Sequence, residues 1–291
     1  MKKFILMVVA VLGFSFAQAQ SVVENYNAAT KAVEAKDYAK AAELFESVIN
    51  EGSEEEDETI AGCVKNAQNN LPVVYTRLGS AAAGAATKAT DAKVKDAKFA
   101  EAIAHLEKAV AKAKSYRNTK AAAAANNMIG KVYQVQGGTY FNAGDFAKAI
   151  EVFAKGYSAD KKNTALAMML AESYFKSNNY AEGVKVCAEV AALPSPKYDA
   201  AIAEAKAKMG QYTNNKIATM QQANDFDGII AMSETIADKA LAQKVLVQAY
   251  FLKKDYAKVI EIGEAAAALQ TDEESKSVVY LNLGSAYYNA K

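Results

Sequence analysis

The sequence predicts an all-α fold built from antiparallel helical hairpins arranged in series. Alanine, lysine and glutamate, which all favour helices, are abundant, whereas the 291 residues include only three prolines. Valine and isoleucine rarely alternate with polar residues in the period of two that strands require. A turn followed by an aromatic residue and then a small residue recurs along the chain. Together these features indicate repeated helix pairs.

The first twenty residues are predicted to be a cleavable signal peptide. Lys2 and Lys3 give a positive start, residues 4–16 form a short apolar run, and Ala17-Gln18-Ala19 has the small-x-small pattern of a cleavage site. No cysteine follows the apolar run, so a lipoprotein anchor is not predicted. A retained membrane anchor is the alternative. We therefore expect a mature chain of residues 21–291 in the periplasm or outside the cell.

The rest of the chain is predicted to lack a transmembrane segment and a nucleic-acid partner. No later apolar run approaches the ~18 residues that a spanning helix needs. The chain has 34 basic and 33 acidic residues, and 32 basic residues remain without Lys2 and Lys3. This near-neutral balance argues against a polyanionic partner that is found by bulk electrostatic attraction.

In each repeated unit, a turn residue stands directly before a helix and an aromatic residue begins that helix. A small residue follows three positions after the aromatic residue. Asp or Asn before a helix accepts hydrogen bonds from first-turn N–H groups. The small residue lets two helices approach closely, and spacings of three and four keep these residues on one face. The copies are Asp37-Tyr38-x-x-Ala41, Lys98-Phe99-x-x-Ala102, Asp145-Phe146-x-x-Ala149, Asn179-Tyr180-x-x-Gly183 and the weaker Asp225-Phe226-x-x-Ile229 and Asp255-Tyr256-x-x-Val259.

A helix with a small-x-x-Tyr pattern is predicted to precede several of these helices. Its copies are Gly137-x-x-Tyr140, Ala171-x-x-Tyr174, Val247-x-x-Tyr250 and Gly284-x-x-Tyr287. These two patterns define the residues expected to pack within the repeats: Ala41, Phe45, Ala102, Leu106, Gly137, Tyr140, Ala149, Phe153, Tyr174, Gly183, Tyr250, Gly284 and Tyr287.

The order Leu-small-x-x-Tyr, turn, small-x-x-x-aromatic resembles the tetratricopeptide repeat (TPR). The best copies are residues 130–163 and 164–197, and Phe146 and Tyr180 are 34 residues apart, which is that family's period. With the signal peptide, the chain looks like an exported bacterial member of the family. The resemblance implies a right-handed superhelical array, or solenoid, whose concave groove binds a partner.

The repeat landmarks also set the predicted domain boundaries. Residues 21–291 form one repeat domain after the signal peptide 1–20. An insertion is expected at 50–72, with the acidic run Glu54–Glu58 in a solvated loop, and an extra helix at 197–212. The hairpins are predicted near 22–50, 73–113, 121–159, 163–192, 213–238 and 240–269, with a partial one at 275–291. The partial hairpin is expected either to cap the array or to be the end of a fragment.

No residue pattern indicates catalysis, a metal or a cofactor. His105 is the single histidine and has no cysteine beside it to form a usual zinc site. Neither a Gly-x-Ser-x-Gly turn nor a Gly-rich phosphate loop is present. Cys63 and Cys187 are far apart in sequence, and we expect two small buried side chains rather than a disulfide. The prediction is a protein that is not an enzyme.

In each helix with the small-x-x-Tyr pattern, the tyrosine is followed directly by a second aromatic residue. This pair suggests how a partner could be bound. The residue after each tyrosine lies about 100° further round the helix, which by the resemblance is near the groove face. The alternative is that these rings fill contacts between neighbouring hairpins. The aromatic candidates are Phe141, Phe175, Phe251 and Tyr288, and the polar candidates are Lys131, Gln134, Glu172, Lys244 and Gln248.

We therefore predict an exported protein–protein interaction scaffold that binds a peptide or protein in its groove and serves envelope assembly or secretion. One alternative is the helical accessory region of a larger enzyme or sensor truncated at residue 291. Another is a cell-wall glycan-binding protein, because stacked aromatic rings also suit sugars. The sequence leaves the identity of the partner and the oligomeric state open.

Overall fold

The computed structural model describes residues 20–53, 57–236 and 238–290, and its regular elements in these ranges are α-helices. The all-α prediction is therefore confirmed for the described residues. The predicted signal peptide up to residue 19, and residues 54–56 of the acidic run, lie outside them. The helices are α1 (20–34), α2 (Tyr38–Gly52), α3 (Glu58–Lys88), α4 (Ala92–Ser115), α5 (Thr119–Asn142), α6 (Phe146–Ala159), α7 (Thr164–Lys176), α8 (Tyr180–Ala191), α9 (Asp199–Gln222), α10 (Phe226–Ser233), α11 (Lys239–Leu252), α12 (Tyr256–Leu269) and α13 (Glu273–Asn289).

The chain divides within α9 into two compact units, one up to Ile202 and one from Ala203. In the first unit each helix from α2 to α8 packs against the next, and α3 and α7 also contact α5. In the second unit α10 to α13 pack in the same serial way, and α11 also contacts α13. From α2 to α8 and from α10 to α13, neighbours along the chain are thus neighbours in space.

Six of the connections share one three-residue turn, whose middle residue has a positive φ. The middle residues are Lys36, Arg117, Gly144, Asn178, Asn224 and Lys254, with φ between 55° and 77°. The third residue is Asp or Asn, and its N–H donates to the carbonyl five residues earlier, as in Asp145 to Tyr140 at 3.0 Å. This 6→1 bond is the Schellman motif, which closes the preceding helix.

The third turn residue also caps the following helix in most of these turns. The Asp145 carboxylate accepts from Lys148 N at 3.1 Å, and Asp37, Asn118, Asp225 and Asp255 make the equivalent bond. This agrees with the capping role that the sequence predicts for the aspartates. Asn179 makes no such side-chain bond, so that one predicted cap is wrong.

Three parts of the chain differ from the sequence-based boundaries. The turn predicted before Phe99 is wrong, because Lys98 and Phe99 lie inside α4, whose N-cap is Asp91. Residues 58–72, assigned to an insertion, form the first half of the 31-residue helix α3. Asp57 caps this helix through Thr59 N and Ile60 N, and its buried residues Ile60, Val64 and Leu71 recur at helical spacing. The extra helix expected at 197–212 continues into the next hairpin as the single helix α9.

Candidate functional site

Two adjoining depressions lie along α5 between side chains of α4 and α6, and together we call them the α5 groove. Its first part, the Tyr140 section, has a volume of about 470 Å³ and is lined by Asp96, Ile103, Tyr133, Tyr140, Lys148 and Lys155, among others. Its second part, the Asn126 section, has a volume of about 970 Å³ and is lined by Val110, Asn126, Asn127, Ile129, Lys131 and Gln134, among others. Glu107 and Tyr133 line both sections, which therefore lie next to each other.

Two glycines bring α5 and α6 together and thereby place Tyr133 in the groove. A Cβ at Gly137 on α5 would lie 2.5 Å from Phe153 Cδ1 on α6. A Cβ at Gly156 on α6 would lie 2.8 Å from Tyr133 Cβ on α5. Each helix therefore has a glycine at the point where an aromatic residue of the other helix packs against it. The close contact holds the half-buried Tyr133 between the two sections of the groove.

A contact between α4 and α5 lies in the Tyr140 section. The Tyr140 hydroxyl donates a hydrogen bond to Asp96 Oδ1 of α4. Lys148 Nζ lies 5.2 Å from the Tyr140 ring centroid, within the range of a cation–π contact. Burial, followed by the hydrogen bond to Asp96, raises the pKa of Tyr140 to about 12. Tyr140 is therefore neutral at physiological pH and acts as a hydrogen-bond donor.

Charges of both signs line the α5 groove. Lys155 Nζ pairs with Glu151 Oε1 at 2.7 Å, which raises the pKa of Lys155 and lowers that of Glu151. Burial, with a smaller effect of the Glu107 charge, raises the pKa of Tyr133. Acidic and basic side chains are interspersed, so neither sign dominates the surface. The groove therefore has no predominantly positive surface that would attract a polyanion.

The Asn126 section combines amide side chains with apolar walls. Asn126, Asn127 and Gln134 each carry two N–H donors and a carbonyl acceptor. Val110 and Ile129 lie beside them. Amide groups have the same donor and acceptor chemistry as a peptide backbone, so this section can pair with main-chain groups while apolar side chains contact its walls.

The structure places the predicted polar residues in different surroundings. Lys131 and Gln134 line the Asn126 section. Glu172 is half-buried on α7. In the second unit, Lys244 Nζ donates to Ser275 Oγ of α13 at 2.9 Å, and Gln248 is half-buried on α11. Lys131 and Gln134 are thus the two members of this set that the α5 groove brings together.

Three of the predicted groove aromatics pack across the turns of their own hairpins. The ring-centroid distances are 5.3 Å for Phe141 and Phe146, 6.0 Å for Phe175 and Tyr180, and 5.9 Å for Phe251 and Tyr256. Phe175 is 6% exposed. In each pair the second ring begins the next helix, so these contacts hold the turn together. Tyr288, by contrast, is 77% exposed.

Most of the predicted packing residues lie inside the helix pairs. Ala41, Phe45, Ala102, Leu106, Gly137, Ala149, Phe153 and Gly183 are buried, and Tyr140, Tyr174 and Tyr250 are half-buried. Gly284 and Tyr287 differ, because both are exposed on α13. A Cβ at Gly284 would meet no atom within 4 Å. The described residues therefore leave this face of α13 uncovered.

Sequence reasoning missed the α5 groove and its residues Tyr133, Asn126 and Asn127. The available signal was the spacing of glycines on α5 and α6, since Gly137 and Gly156 determine which rings point between these helices. The family pattern directs attention to the residue after each tyrosine. Tyr133 falls outside that pattern, so the repeat does not indicate a binding role for it.

The described residues contain no group of three or more His, Cys, Asp or Glu side chains placed to hold a metal ion. Within the same ranges, no helix combines the length and apolar character needed to cross a bilayer. His105 stacks on Tyr75 with a centroid distance of 6.2 Å, and burial lowers its pKa. Cys63 is half-buried and Cys187 is buried.

Residues 140–209 match the family model of the tetratricopeptide repeat. The match runs from the end of α5 through α6, α7 and α8 into α9 and overlaps the two best predicted copies, so the TPR prediction is confirmed for this segment. One solved structure, the complex of the TPR2AB domain of yeast Sti1 with pHSP90, aligns with 92% of this chain and 98% of that chain at 13% identity. Its TM-score of 0.19 is too low to indicate a shared arrangement. No curated protein matches the chain significantly.

Proposed function

We propose that this protein is a protein–protein interaction scaffold, without catalytic activity, that binds an extended peptide segment of a partner in the α5 groove. The main support is that an amide-rich section and an aromatic section lie next to each other along α5 and share the lining residues Glu107 and Tyr133. The TPR match at residues 140–209 adds support, since helical repeat arrays present extended binding surfaces.

The length of the α5 groove suits a short extended peptide. Asn126 and Tyr140 mark its two sections and are fourteen residues apart on α5. At 1.5 Å per residue this separation is about 21 Å. An extended chain advances about 3.3 Å per residue, so the groove accommodates roughly six residues of a partner.

The lining residues indicate how such a peptide would be recognised. The amides of Asn127 and Gln134 can pair with backbone N–H and C=O groups. Val110, Ile129 and Tyr133 offer apolar contacts for alternate side chains. The mixed charges favour a peptide without a strong net charge. Recognition would thus combine main-chain hydrogen bonds with two or three apolar anchors.

A selection from a peptide display library, followed by mapping of the binding site, tests this proposal. A photo-reactive amino acid is placed at the exposed groove residue Asn127 or, as a control, at Ala85, an exposed residue of α3. We expect the selected peptides to form adducts through position 127 and not through position 85. Equal labelling at both positions, or adducts at position 85 alone, would contradict the proposal.

We further propose that this is an exported bacterial protein that works in the periplasm or outside the cell, in envelope assembly or secretion. The support is the sequence of the first twenty residues, with its basic start, short apolar run and Ala17-Gln18-Ala19. Amino-terminal sequencing of the protein from fractionated bacteria is the test. A start at Gln20 or Ser21 is expected, whereas an intact amino terminus in the cytoplasmic fraction would contradict export.

A further inference from the structure

Tyr133 in the α5 groove has a counterpart, Tyr75, one hairpin earlier in the chain. Each tyrosine lies four residues before the glycine at which its helix contacts the following helix, Gly137 on α5 and Gly79 on α3. Residues four apart lie on the same face of a helix. The two tyrosines therefore occupy equivalent positions in α5 and α3.

Glu107 likewise has a counterpart, Glu46 on α2. Each glutamate lies five residues after the small residue of its repeat, Ala102 on α4 and Ala41 on α2. Each is also on the helix directly before that of its tyrosine. Glu107 and Tyr133 line the same two sections of the groove, and the Glu107 charge is, after burial, the next cause of the raised pKa of Tyr133. The α5 groove thus repeats a tyrosine–glutamate pair of the earlier hairpin.

At the earlier site a lysine completes the arrangement. The Tyr75 hydroxyl donates a hydrogen bond of 3.0 Å to Glu46 Oε1, and Lys112 Nζ of α4 lies 3.3 Å from the same oxygen. Lys112 follows Ala102, the small residue of its own helix, by ten positions. The Glu46 carboxylate is therefore shared by a hydroxyl donor and a cation.

At the later site the position of this lysine is taken by an alanine. Ala159 on α6 follows the small residue Ala149 by ten positions, as Lys112 follows its own small residue. Ala159 is exposed and lines the groove together with Glu107 and Tyr133. The α5 groove therefore keeps the tyrosine and the glutamate of the earlier site but has an uncharged methyl group in place of the cation.

Several exposed glutamates pair with a lysine of their own helix, whereas Glu107 does not. The pairs include Lys40 with Glu43, Lys98 with Glu101, Lys155 with Glu151 and Lys258 with Glu261. The neighbours of Glu107 one turn away on α4 are all uncharged, namely Ile103, Ala104, Val110 and Ala111. Among the residues that the structure describes, no ion pair includes Glu107.

We propose that a lysine or arginine side chain of the bound peptide occupies this position, with its cation paired to Glu107 and its stem against Tyr133. This inference rests on the peptide-binding function proposed above and adds the class of side chain that the peptide carries. The Asn126 section, with a volume of about 970 Å³, is lined by both residues and has room for a long side chain. A carboxylate and an aromatic ring each attract a cation, so the two contacts act together.

The chain brings the same three groups into contact at another site. The Tyr157 hydroxyl donates to Glu189 Oε2 at 2.9 Å, and Lys161 Nζ lies 3.0 Å from that oxygen. The same Nζ is 4.0 Å from the centroid of the Tyr157 ring. A lysine can thus contact a tyrosine ring and a carboxylate at once, as we infer for the peptide side chain at Tyr133 and Glu107.

The lysines near Glu107 leave its carboxylate available. Lys114 and Lys131 line the same section of the groove, but neither forms an ion pair with Glu107. Lys155 pairs instead with Glu151 at 2.7 Å. An exposed ion pair contributes little affinity by itself. We therefore expect Glu107 to select among peptides rather than to supply most of the binding energy.

A double-mutant cycle on a display-selected peptide tests the proposal. Peptides that crosslink through position 127 should share a lysine or arginine at one position. Replacing this residue with norleucine should weaken binding to the unmodified protein by about fivefold, measured by calorimetric titration. The same replacement should have less than about a twofold effect on the Glu107→Gln protein. An equal loss in both proteins would overturn the proposal.

The crosslinking result separates this inference from the proposed function. Peptides that crosslink through position 127 but share no basic residue would overturn the lysine or arginine site and would leave the α5 groove as the peptide-binding site. Failure of all selected peptides to crosslink there would contradict both.

Ala159→Lys copies the earlier site and provides a second test, with Ala159→Met as a matched control of similar length. The introduced lysine should pair with Glu107 as Lys112 pairs with Glu46, and so compete with the cation of the peptide. We expect Ala159→Lys to weaken binding of the basic peptide about fivefold more than Ala159→Met does. The norleucine peptide should bind both variants equally. Equal affinity of the two variants for the basic peptide would count against a cation site at Glu107.

Discussion

The ring of Phe153 on α6 lies against Gly137 on α5, where a Cβ would come within 2.5 Å of its Cδ1 atom. Similar pairs occur in other hairpins, with Phe175 against Gly183 at 2.6 Å and Leu106 against Gly79 at 2.6 Å. In each case a large side chain of one helix occupies the space that a side chain on the neighbouring helix would need. These contacts set how closely the helices of a pair approach.

The contact between Gly137 and Phe153 predicts the effect of adding one methyl group. Gly137→Ala should lower the free energy of unfolding by about 1–3 kcal/mol, because the fully packed ring has to move. Gly138→Ala is the control, since its Cβ would meet nothing within 4 Å. That control should raise the free energy by about 0.5–1 kcal/mol, as usual for alanine in place of glycine within a helix. Urea denaturation measures both, and equal effects would contradict the packing described here.

The positive φ of Lys36, at 60°, predicts that glycine is favoured at this turn position. Lys36→Gly should raise the free energy of unfolding by about 0.5–1 kcal/mol, since relief of the left-handed strain exceeds the added entropy of the unfolded chain. Lys31→Gly, at an exposed position within α1, should instead lower it by about 1 kcal/mol. Thermal melting distinguishes the two. Destabilisation by both variants would show that Lys36 is not strained.

Tyr140 predicts a loss of stability in alkaline solution. Its pKa is raised to about 12 from an ordinary value of 10. A raised pKa in the folded state stabilises the protein below the unfolded-state pKa, and this contribution is lost as the pH rises from about 10 to about 12. Tyr140→Phe should therefore reduce the fall in stability across that range, measured by denaturant titrations. A fall as steep as in the unmodified protein would contradict the raised pKa.

The hydrogen bond of Asp272 predicts that the first turn of α13 becomes less stable in acidic solution. Its carboxylate accepts from Ser275 N at 2.7 Å, and this hydrogen bond lowers its pKa. A lowered pKa stabilises the folded state above the unfolded-state value, and the contribution is lost as the pH falls through the folded-state value. Hydrogen exchange at Ser275 N–H should therefore lose protection on acidification. Asp272→Asn keeps an amide cap and should remove this dependence on pH; an unchanged dependence would assign it to another group.

The sequence predicts local features well, because the responsible residues are close together along the chain. Asp37 and Asp145 cap helices whose first turns they directly precede, and Ala102 and Gly137 mark close contacts between consecutive helices. The acidic run before α3 predicts an insertion. In the structure, however, the buried residues of this region continue a helix. Local charge alone does not end a helix that buries an apolar face.

The candidate binding residues were harder to predict, because a side chain's direction depends on residues across the turn. The sequence pattern assigns Phe175 to the groove face, but it does not show that Tyr180, on the next helix, packs on Phe175. Tyr133 enters the α5 groove because Gly156 of another helix leaves space beside it. Such relations join residues that no repeat pattern links.

The most direct test of the central claim is the affinity of a display-selected peptide for two arginine variants. Ala111→Arg adds a long side chain to the exposed α4 wall of the Asn126 section, and Ala85→Arg adds the same charge to an exposed site on α3. Calorimetric titration should show that Ala111→Arg weakens binding by about tenfold or more, while Ala85→Arg binds as the unmodified protein does. Equal affinity of all three proteins would contradict peptide binding in the α5 groove.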